Sequence, residues 1–124
     1  MSHISKIELE IKEIAVLKQA CRKLGLEFVQ NQKTFKWYGK ASPCSHAIKV
    51  PGASYEIGVI EQDGRYELNC DFYDRNIEKA LGHRGGRLKQ AYAVSKTKTE
   101  ARRKGYSVIE RNTDTGIRLH VKLS

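Results

Sequence analysis

The stretch SYEIGVIEQDGRYELNCDFY, residues 54–73, gives the strongest signal for the fold of this 124-residue chain. Apolar and polar residues alternate in each half, which is typical of strands with one buried face. Between the halves lies Asp63-Gly64, a pair that accepts the positive φ angles of a tight hairpin turn. The stretch therefore predicts a β-hairpin whose inward-facing residues are Tyr55, Ile57, Val59, Tyr66, Leu68, Cys70 and Phe72.

Towards the N-terminus the sequence predicts shorter elements. Alternation predicts a strand over Ser5–Lys12, and helical spacing of apolar residues then predicts a helix from Ile14 to a stop at Gly25. Further strands are predicted over Leu26–Gln30, Phe35–Tyr38 and His46–Val50, with a loop over Gly39–Ser45 that contains Pro43.

Towards the C-terminus two predicted helices are followed by two strands. A short helix over Arg75–Leu81 ends at Gly82, and a longer one runs from about Arg87 to Lys104 before Gly105. Strands are predicted over Tyr106–Arg111 and Ile117–Leu123, joined by a turn around Asn112–Gly116. Helices interspersed among hairpin-connected strands predict an α+β fold: a mostly antiparallel sheet of about five to seven strands with helices packed on one face.

Length and composition are typical of one globular domain, residues 1–124. The chain is 40% hydrophobic and 30% charged, which argues against disorder. No apolar run approaches the roughly 20 residues of a membrane span, and the N-terminus lacks the pattern of a signal peptide. Three widely spaced cysteines do not form a disulfide framework, so we expect a reducing, cytoplasmic environment.

Positive charge is concentrated between Arg84 and Lys104. This segment contains eight Lys or Arg residues and one acid, Glu100, and so accounts for +7 of the formal net charge of +9. The other 103 residues hold 15 basic and 13 acidic groups. A localised positive field attracts phosphate polymers, acidic protein surfaces or anionic lipid. The segment therefore indicates a binding function.

The long predicted helix would carry two rows of cations. Its apolar stripe (Leu88, Ala91, Tyr92, Ser95 and Thr99) is narrow, so we expect a partly exposed helix. Two rows can follow a phosphate backbone over about 21 Å, at a rise of about 1.5 Å per residue. One row comprises Lys89, Lys96 and Arg103, and the other comprises Arg87, Lys98 and Arg102.

Two other interpretations of this helix stay open. It can be a solvated helix whose last-turn cations complement the helix dipole, or it can dock on an acidic protein surface. A membrane surface is disfavoured, because the helix lacks the large apolar anchors of an interfacial helix.

The loop Gly82-His83-Arg84-Gly85 lies between the two predicted C-terminal helices. A GxxG loop between helices resembles the core of KH domains, whose GxxG backbone packs against four nucleotides. Glycines let the backbone approach a phosphate closely, and Arg84 adds charge. Alternatively, Gly82 ends one helix and Gly85 leads into the next. The loop lacks the GK[ST] ending of a phosphate-binding loop.

Cations and aromatic residues alternate between Lys33 and Lys40. If this strand were exposed, Trp37 and Tyr38 would stack on single-stranded bases while neighbouring lysines hold phosphates. Alternate residues share one face of a strand, so Phe35 and Trp37 are also candidates for the core. That alternative is favoured for Phe35.

Candidates for catalysis and metal binding are few. Cys44-x-His46 is the one close Cys/His pair, and no second pair supplies the remaining metal ligands. Cys44 is the one candidate for a reactive thiol, since Cys21 and Cys70 fall on inward faces. We therefore expect no enzymatic activity, no metal and no cofactor.

Three stretches together resemble a known family: MSHISKIELEI (1–11), YEIGVIEQDGRYELNCDFY (55–73) and QAYAVSKTKTEARRKGYSVIERNTDTGIRLHVKL (90–123). They are similar to the family typified by a hypothetical chloroplast reading frame, with members in cyanobacteria, other bacteria and phages. It is a domain of unknown function, so the resemblance implies no reaction or ligand. It implies a soluble protein of the cytoplasm or plastid stroma, often encoded near an AAA-type ATPase, which favours an accessory or adaptor role.

Two hypotheses of function follow. In the first, a non-enzymatic accessory protein binds RNA or DNA, with Trp37 or Tyr38 stacking on bases. In the second, the basic helix docks on an acidic partner such as an AAA-type ATPase. Aromatic residues beside the helix would favour the first hypothesis, and aromatic residues on the far side of the sheet would favour the second. In the first, the phosphate contacts are Arg84, Arg87, Lys89, Lys96, Lys98, Arg102 and Arg103, next to the loop of Gly82, His83 and Gly85.

Overall fold

The computed structural model of the protein describes residues 3–123. Its strands and helices follow in the order β1 (Ser5–Ile11), α1 (Ile14–Lys23), β2 (Glu27–Val29), β3 (Thr34–Trp37), β4 (Lys40–Pro43), β5 (His46–Lys49), β6 (Glu56–Gln62), β7 (Arg65–Cys70), α2 (Arg75–Leu81), α3 (Gly86–Arg103), β8 (Ser107–Thr113) and β9 (Gly116–Lys122). One turn of 3-10 helix, His83–Gly85, separates α2 from α3.

The largest sheet in the described part of the chain has five strands in the order β1-β7-β6-β5-β2, and every neighbouring pair is antiparallel. The predicted hairpin, β6 and β7, lies at its centre, with Val59 opposite Leu68. Its turn residues Asp63 and Gly64 both have positive φ, at 52° and 76°. The predicted α+β class, with a mostly antiparallel sheet, is confirmed.

The helices pack on one face of this sheet. Ile57, Val59 and Leu68 of the central hairpin belong to the same buried cluster as residues of all three helices, such as Leu17 and Leu88. Each of these side chains is fully buried, and burying one stabilises the fold by about 1.5–3 kcal/mol relative to leaving it exposed. The core therefore lies between the sheet and the helix layer.

The β3–β4 hairpin covers part of the opposite face. Because successive strand residues point to opposite faces, Gly58 points away from the helices. The Phe35 ring occupies the space beside it: a Cβ on Gly58 would lie 2.4 Å from Phe35 Cδ1. Phe35 is 2% exposed, so its predicted place in the core is confirmed, on this second side of the sheet.

The prediction of a loop over Gly39–Ser45 is wrong in part. Lys40–Pro43 forms β4, which pairs with β3 so that Thr34 lies opposite Pro43. The strand tolerates Pro43 because β4 pairs on one side only, and proline fits a strand edge where no donor is required. The glycine and proline signals here mark the ends of a strand.

The last two strands form a separate two-stranded ribbon that packs on α3. Both strands were predicted, but β8 extends to Thr113, and the turn between the strands is shorter than predicted. Val108, Ile117 and Leu119 are half-buried on one face of the ribbon. The tip lies beside α3, since a Cβ on Gly116 would be 3.2 Å from Nε2 of Gln90.

Candidate nucleic-acid interface

Helix α3 is less exposed than its sequence predicts. The predicted stripe is buried at Leu88, Ala91, Tyr92 and Ser95, and half-buried at Thr99. Val94 and Ala101 are buried as well, on a second side of the helix. They lie outside the main core cluster, and α3 contacts both strands of the ribbon. We infer that the β8–β9 ribbon covers this second side.

The outermost stripe of α3 is nearly neutral. Residues spaced three or four apart along a helix lie on one face, and one such series is exposed throughout. The only charges in the series are Glu100 and Lys104, which are opposite in sign. The other cations of α3 therefore lie on the flanks of the helix. The exposed series is Gly86, Gln90, Ala93, Thr97, Glu100 and Lys104.

The first predicted row is partly occupied by an internal ion pair. The Arg103 guanidinium donates two hydrogen bonds to Glu13, of 2.8 Å (Nη1 to Oε1) and 3.0 Å (Nη2 to Oε2). This interaction lowers the pKa of the Glu13 carboxyl, and the charge of Lys96 lowers it further. Lys89 and Lys96 form no ion pair or side-chain hydrogen bond with any of residues 3–123. Two cations of this row thus remain available.

The second predicted row contains both cations with an internal partner and one without. Lys98 forms an ion pair with Glu110 of β8, and Glu110 accepts a second hydrogen bond, of 2.6 Å, from Lys23 of α1. The hydrogen bonds from Lys23 and Lys98 lower the pKa of Glu110. Arg87 Nη1 donates to the carbonyl oxygen of Lys79 at 3.3 Å. Arg102 is exposed and forms neither an ion pair nor a side-chain hydrogen bond in the described part of the chain.

The loop between α2 and α3 has left-handed backbone at Gly82, Arg84 and Gly85, with φ of 79°, 54° and 78°. A Cβ on Gly85 would lie 2.9 Å from Cγ2 of Ile7, and one on Gly82 would lie 2.9 Å from the backbone nitrogen of Arg87. Both glycines are therefore required by φ and by close packing. His83 and Arg84 are exposed on the loop. Contact of this loop with phosphate stays a prediction.

The aromatic residues lie elsewhere. Trp37 is half-buried, its Nε1 donates to Ser42 Oγ at 2.7 Å, and Lys40 Nζ lies 5.2 Å from its ring centroid. Tyr38 is 56% exposed and meets Tyr73 edge to face, with ring centroids 6.3 Å apart. Both belong to the β3–β4 hairpin, on the face of the sheet away from α3. The structure does not bring them together with the cations.

Cys44 and His46 are both hydrogen-bonded to the connection between β2 and β3. Cys44 Sγ donates to the carbonyl oxygen of Gln32 at 3.1 Å, and burial raises the pKa of its thiol. His46 Nδ1 accepts a 2.9 Å hydrogen bond from the backbone N–H of Asn31, and burial lowers the pKa of His46. A thiol with raised pKa is a poor nucleophile. Burial also raises the pKa of Cys21 and of Cys70 to about 12.

Sequence reasoning missed one basic surface, the outward face of the β8–β9 ribbon. Residues 84–123 contain 11 basic and 3 acidic residues, so the charge extends beyond Lys104. Arg118, His120 and Lys122 occupy every second position of β9 and therefore share one face of the strand. This pattern was visible in the sequence. Every residue of this surface, hereafter the ribbon face, is exposed: Ser107, Ile109, Arg111, Thr113, Arg118, His120 and Lys122.

A family model described as a protein of unknown function, DUF1257, matches residues 20–120. The chain belongs to the DUF1257 family. This match confirms the predicted membership of an uncharacterised family, and it includes α3, β8 and every strand of the main sheet except β1. No curated protein and no solved structure shows significant similarity to this DUF1257 chain.

The described residues, 3–123, contain neither a membrane-spanning helix nor a cluster of metal ligands. Within that range, no helix combines the length and the apolar character needed to cross a bilayer. Over the same residues, no three His, Cys, Asp or Glu side chains cluster as the ligands of a metal ion would.

Proposed function

We propose that this DUF1257 protein is a non-enzymatic accessory protein that binds nucleic acid through α3 and the glycine loop before it. The observation that supports this function is a set of cations that are not held in ion pairs or side-chain hydrogen bonds. Arg84, Lys89, Lys96 and Arg102 form no ion pair or side-chain hydrogen bond with any of residues 3–123. Such cations release condensed counterions when they neutralise phosphates, which drives association with nucleic acid.

Two other cations of these rows, Arg103 and Lys98, form ion pairs that attach α3 to neighbouring elements. Arg103 holds the end of α3 against Glu13, at the start of α1, and Lys98 holds α3 to the ribbon through Glu110. These ion pairs add to the buried contacts of Leu88 and Tyr92, which hold the helix in place. A helix held in place presents its remaining cations at fixed positions, which reduces the entropy lost on binding.

A second candidate function is a protein–protein adaptor that docks α3 on an acidic surface, with an AAA-type ATPase as a possible class of partner. The position of Trp37 and Tyr38 favours it, because these residues lie across the sheet from α3 and cannot stack on a strand bound there. Arg103 and Lys98 also show that the flanks of α3 accommodate carboxylates.

Fluorescence anisotropy with labelled single- and double-stranded DNA and RNA tests the first proposal. We expect a Kd of about 1–100 μM or tighter at about 50 mM salt, and a linear fall of log affinity with log salt concentration. Absence of binding at that salt concentration would contradict nucleic-acid binding and favour the adaptor.

The matched variants are K89E/K96E on α3 and K33E/K36E on the far face of the sheet. Each pair changes two exposed or half-exposed lysines and shifts the net charge equally. We expect the α3 pair to weaken binding by about tenfold or more and the control pair by less than about threefold. Equal losses of affinity in the two variants would show that binding depends on net charge alone. That result would contradict binding at a defined surface on α3.

A further inference from the structure

The ribbon face concentrates positive charge without any carboxylate. It contains three permanent cations, and its residues include no acid. Arg111, Arg118 and Lys122 form no ion pair or side-chain hydrogen bond within residues 3–123. The inward face, in contrast, holds Glu110 in its ion pairs with Lys23 and Lys98. Of the two acids in the ribbon, Glu110 thus serves its attachment to α1 and α3, and Asp114 lies in the exposed turn between the strands, so the ribbon face itself holds no carboxylate.

Two arginines lie directly opposite each other at the centre of this face. The register of β8 and β9 pairs Arg111 with Arg118, and like charges at such positions destabilise a strand pair. Along the same face, Ile109 lies opposite His120, and Thr113 lies at the distal end of β8. A polyanion bound on this face would remove the repulsion between the arginines.

We propose that the β8–β9 ribbon enters the major groove of double-stranded DNA, with Arg111 and Arg118 directed at base edges. This inference rests on the proposed function and names its partner. The major groove, about 12 Å wide, admits a two-stranded β-ribbon, and arginine donates two hydrogen bonds to guanine O6 and N7. Ile109 and Thr113 supply methyl groups that can contact thymine methyls.

The composition of the ribbon face favours duplex DNA over single strands and duplex RNA. Single strands are bound by stacking on several aromatic side chains, and the ribbon face has no Phe, Tyr or Trp and one imidazole, His120. In A-form RNA the major groove is deep and too narrow for side chains to read. Seven residues per strand extend about 23 Å at about 3.3 Å per residue, long enough to follow one groove over several base pairs.

Helix α3 lies behind the ribbon, and its Lys89 and Lys96 lie on the flank next to Glu13, away from the side that the ribbon covers. The ribbon face is therefore a second contact surface, additional to these lysines. The ribbon begins beside Ala101, whose carbonyl oxygen accepts from the N–H of Tyr106 at 2.9 Å, and its tip lies beside Gln90. Gln90 is one helical turn from Arg87. The loop cations thus lie beyond the ribbon tip, where they can contact the phosphate backbone beside the groove.

The variant Arg111→Glu tests this inference without weakening the fold. It places a carboxylate opposite Arg118, so an attractive pair replaces a repulsive one and the melting temperature should be unchanged or higher. We expect its affinity for a mixed-sequence DNA duplex to fall about tenfold or more. The control Lys33→Glu makes the same change of charge on the far face of the sheet and should bind within about threefold of the unaltered chain.

Two further probes locate the contact. Methylation of guanine N7 in the duplex blocks the major-groove acceptor and should weaken binding by the unaltered chain more than binding by Arg111→Glu, which retains Arg118 alone. Duplex RNA and a single DNA strand of the same sequence should each bind at least about tenfold more weakly than duplex DNA.

The outcomes separate this inference from the proposed function. If Arg111→Glu binds the duplex like the unaltered chain while K89E/K96E does not, the ribbon inference is wrong and the proposed function stands. Equal affinity for DNA and RNA duplexes, or full displacement of DNA by polyglutamate at matched charge, would also overturn the ribbon inference. If the unaltered chain binds no nucleic acid at about 50 mM salt, the proposed function itself fails.

Discussion

Two small hairpins, β3–β4 and β8–β9, are attached to this protein in different ways. The first inserts the Phe35 ring beside Gly58 and donates its Lys36 N–H to the buried carboxylate of Glu56. The second is attached by half-buried aliphatic side chains and by ion pairs at the partly exposed Glu110. One hairpin is thus part of the packed structure, while the other leaves a charged face free. We therefore expect nucleic acid to bind at β8–β9, whose outward cations are unpaired, and not at β3–β4.

The largest expected effect is the loss of the aromatic anchor of β3–β4. Phe35→Ala removes a buried ring and should lower the free energy of unfolding by about 3–5 kcal/mol, measured by urea denaturation. The control Tyr38→Ala changes an exposed ring of the same hairpin and should cost less than about 1 kcal/mol. Similar losses in both variants would mean that β3–β4 has no buried anchor.

A double-mutant cycle sharpens this prediction. Gly58→Ala in the unaltered chain forces a methyl group into the space of the Phe35 ring, so it should destabilise the fold. In the Phe35→Ala background the ring is gone, and the same substitution should cost less or stabilise. Additive effects would contradict direct contact between the two positions.

The next effect concerns the buried carboxylate. Glu56 Oε1 accepts hydrogen bonds from the N–H of Lys36 at 2.9 Å and from Nε2 of Gln32 at 3.0 Å. Glu56→Ala leaves both donors without this acceptor and should cost about 1–3 kcal/mol. Glu56→Gln keeps a carbonyl oxygen and should recover part of that loss. No recovery, measured by the same denaturation, would show that charge and not hydrogen bonding matters there.

The ribbon attachment should be weaker and sensitive to salt. Glu110→Ala removes the shared partner of Lys23 and Lys98 and should cost about 1 kcal/mol or less, since these groups are partly exposed. The loss should shrink as salt rises, whereas that of Glu56→Ala should not. Exposed Glu100, which has no ion pair in the described residues, supplies the control Glu100→Ala. A salt-independent loss would contradict attachment by ion pairs.

The smallest expected effect is a difference in pH dependence between the region around His46 of β5, which follows the first hairpin, and the β8–β9 ribbon. Burial lowers the pKa of His46 below 6.5, so the unfolded chain binds more protons than the folded chain below that pH. Stability around His46, at the start of β5, should therefore fall as pH drops below about 6.5. The stability of the ribbon should fall at a lower pH. The pKa of Glu110 is lowered, so its stabilising charge is lost only as pH falls below about 4.5.

Hydrogen exchange measured against pH checks this order. Amides of the β2–β3 connection, such as that of Asn31, should lose protection before those of β8 and β9. A His46→Gln variant should remove the transition below about pH 6.5, and the exposed His120→Gln should not. Simultaneous loss of protection in both regions would contradict separate pH responses.

Much of the fold could be predicted from local patterns. The alternation and the Asp63-Gly64 turn of residues 54–73 were sufficient to predict the central hairpin, because register and turn are encoded within 20 residues. The Gly39–Ser45 segment was predicted wrongly, since turn residues at the ends of a short edge strand look like a loop. Glycine and proline there mark boundaries, which local patterns locate poorly.

The candidate site was harder to predict because its geometry depends on distant residues. Arg103 is paired with Glu13, which lies 90 positions away in sequence. Val94 and Ala101 are buried because the ribbon, a later element, packs on α3. To predict the ribbon face, one must know that Arg111 lies opposite Arg118. This register depends on the short turn between β8 and β9. Helical spacing alone therefore predicted where cations lie on α3, but not which of them are paired.

An NMR titration of the isotope-labelled protein with a DNA duplex tests the difference between the two hairpins most directly. The single tryptophan, Trp37, gives one indole N–H signal that reports on β3–β4. We predict that amide signals of the 82–85 loop, α3 and the ribbon face shift on binding, while the indole signal stays in place. Shifts confined to Trp37, Tyr38 and their neighbours, or the absence of any shift at about 50 mM salt, would contradict this account.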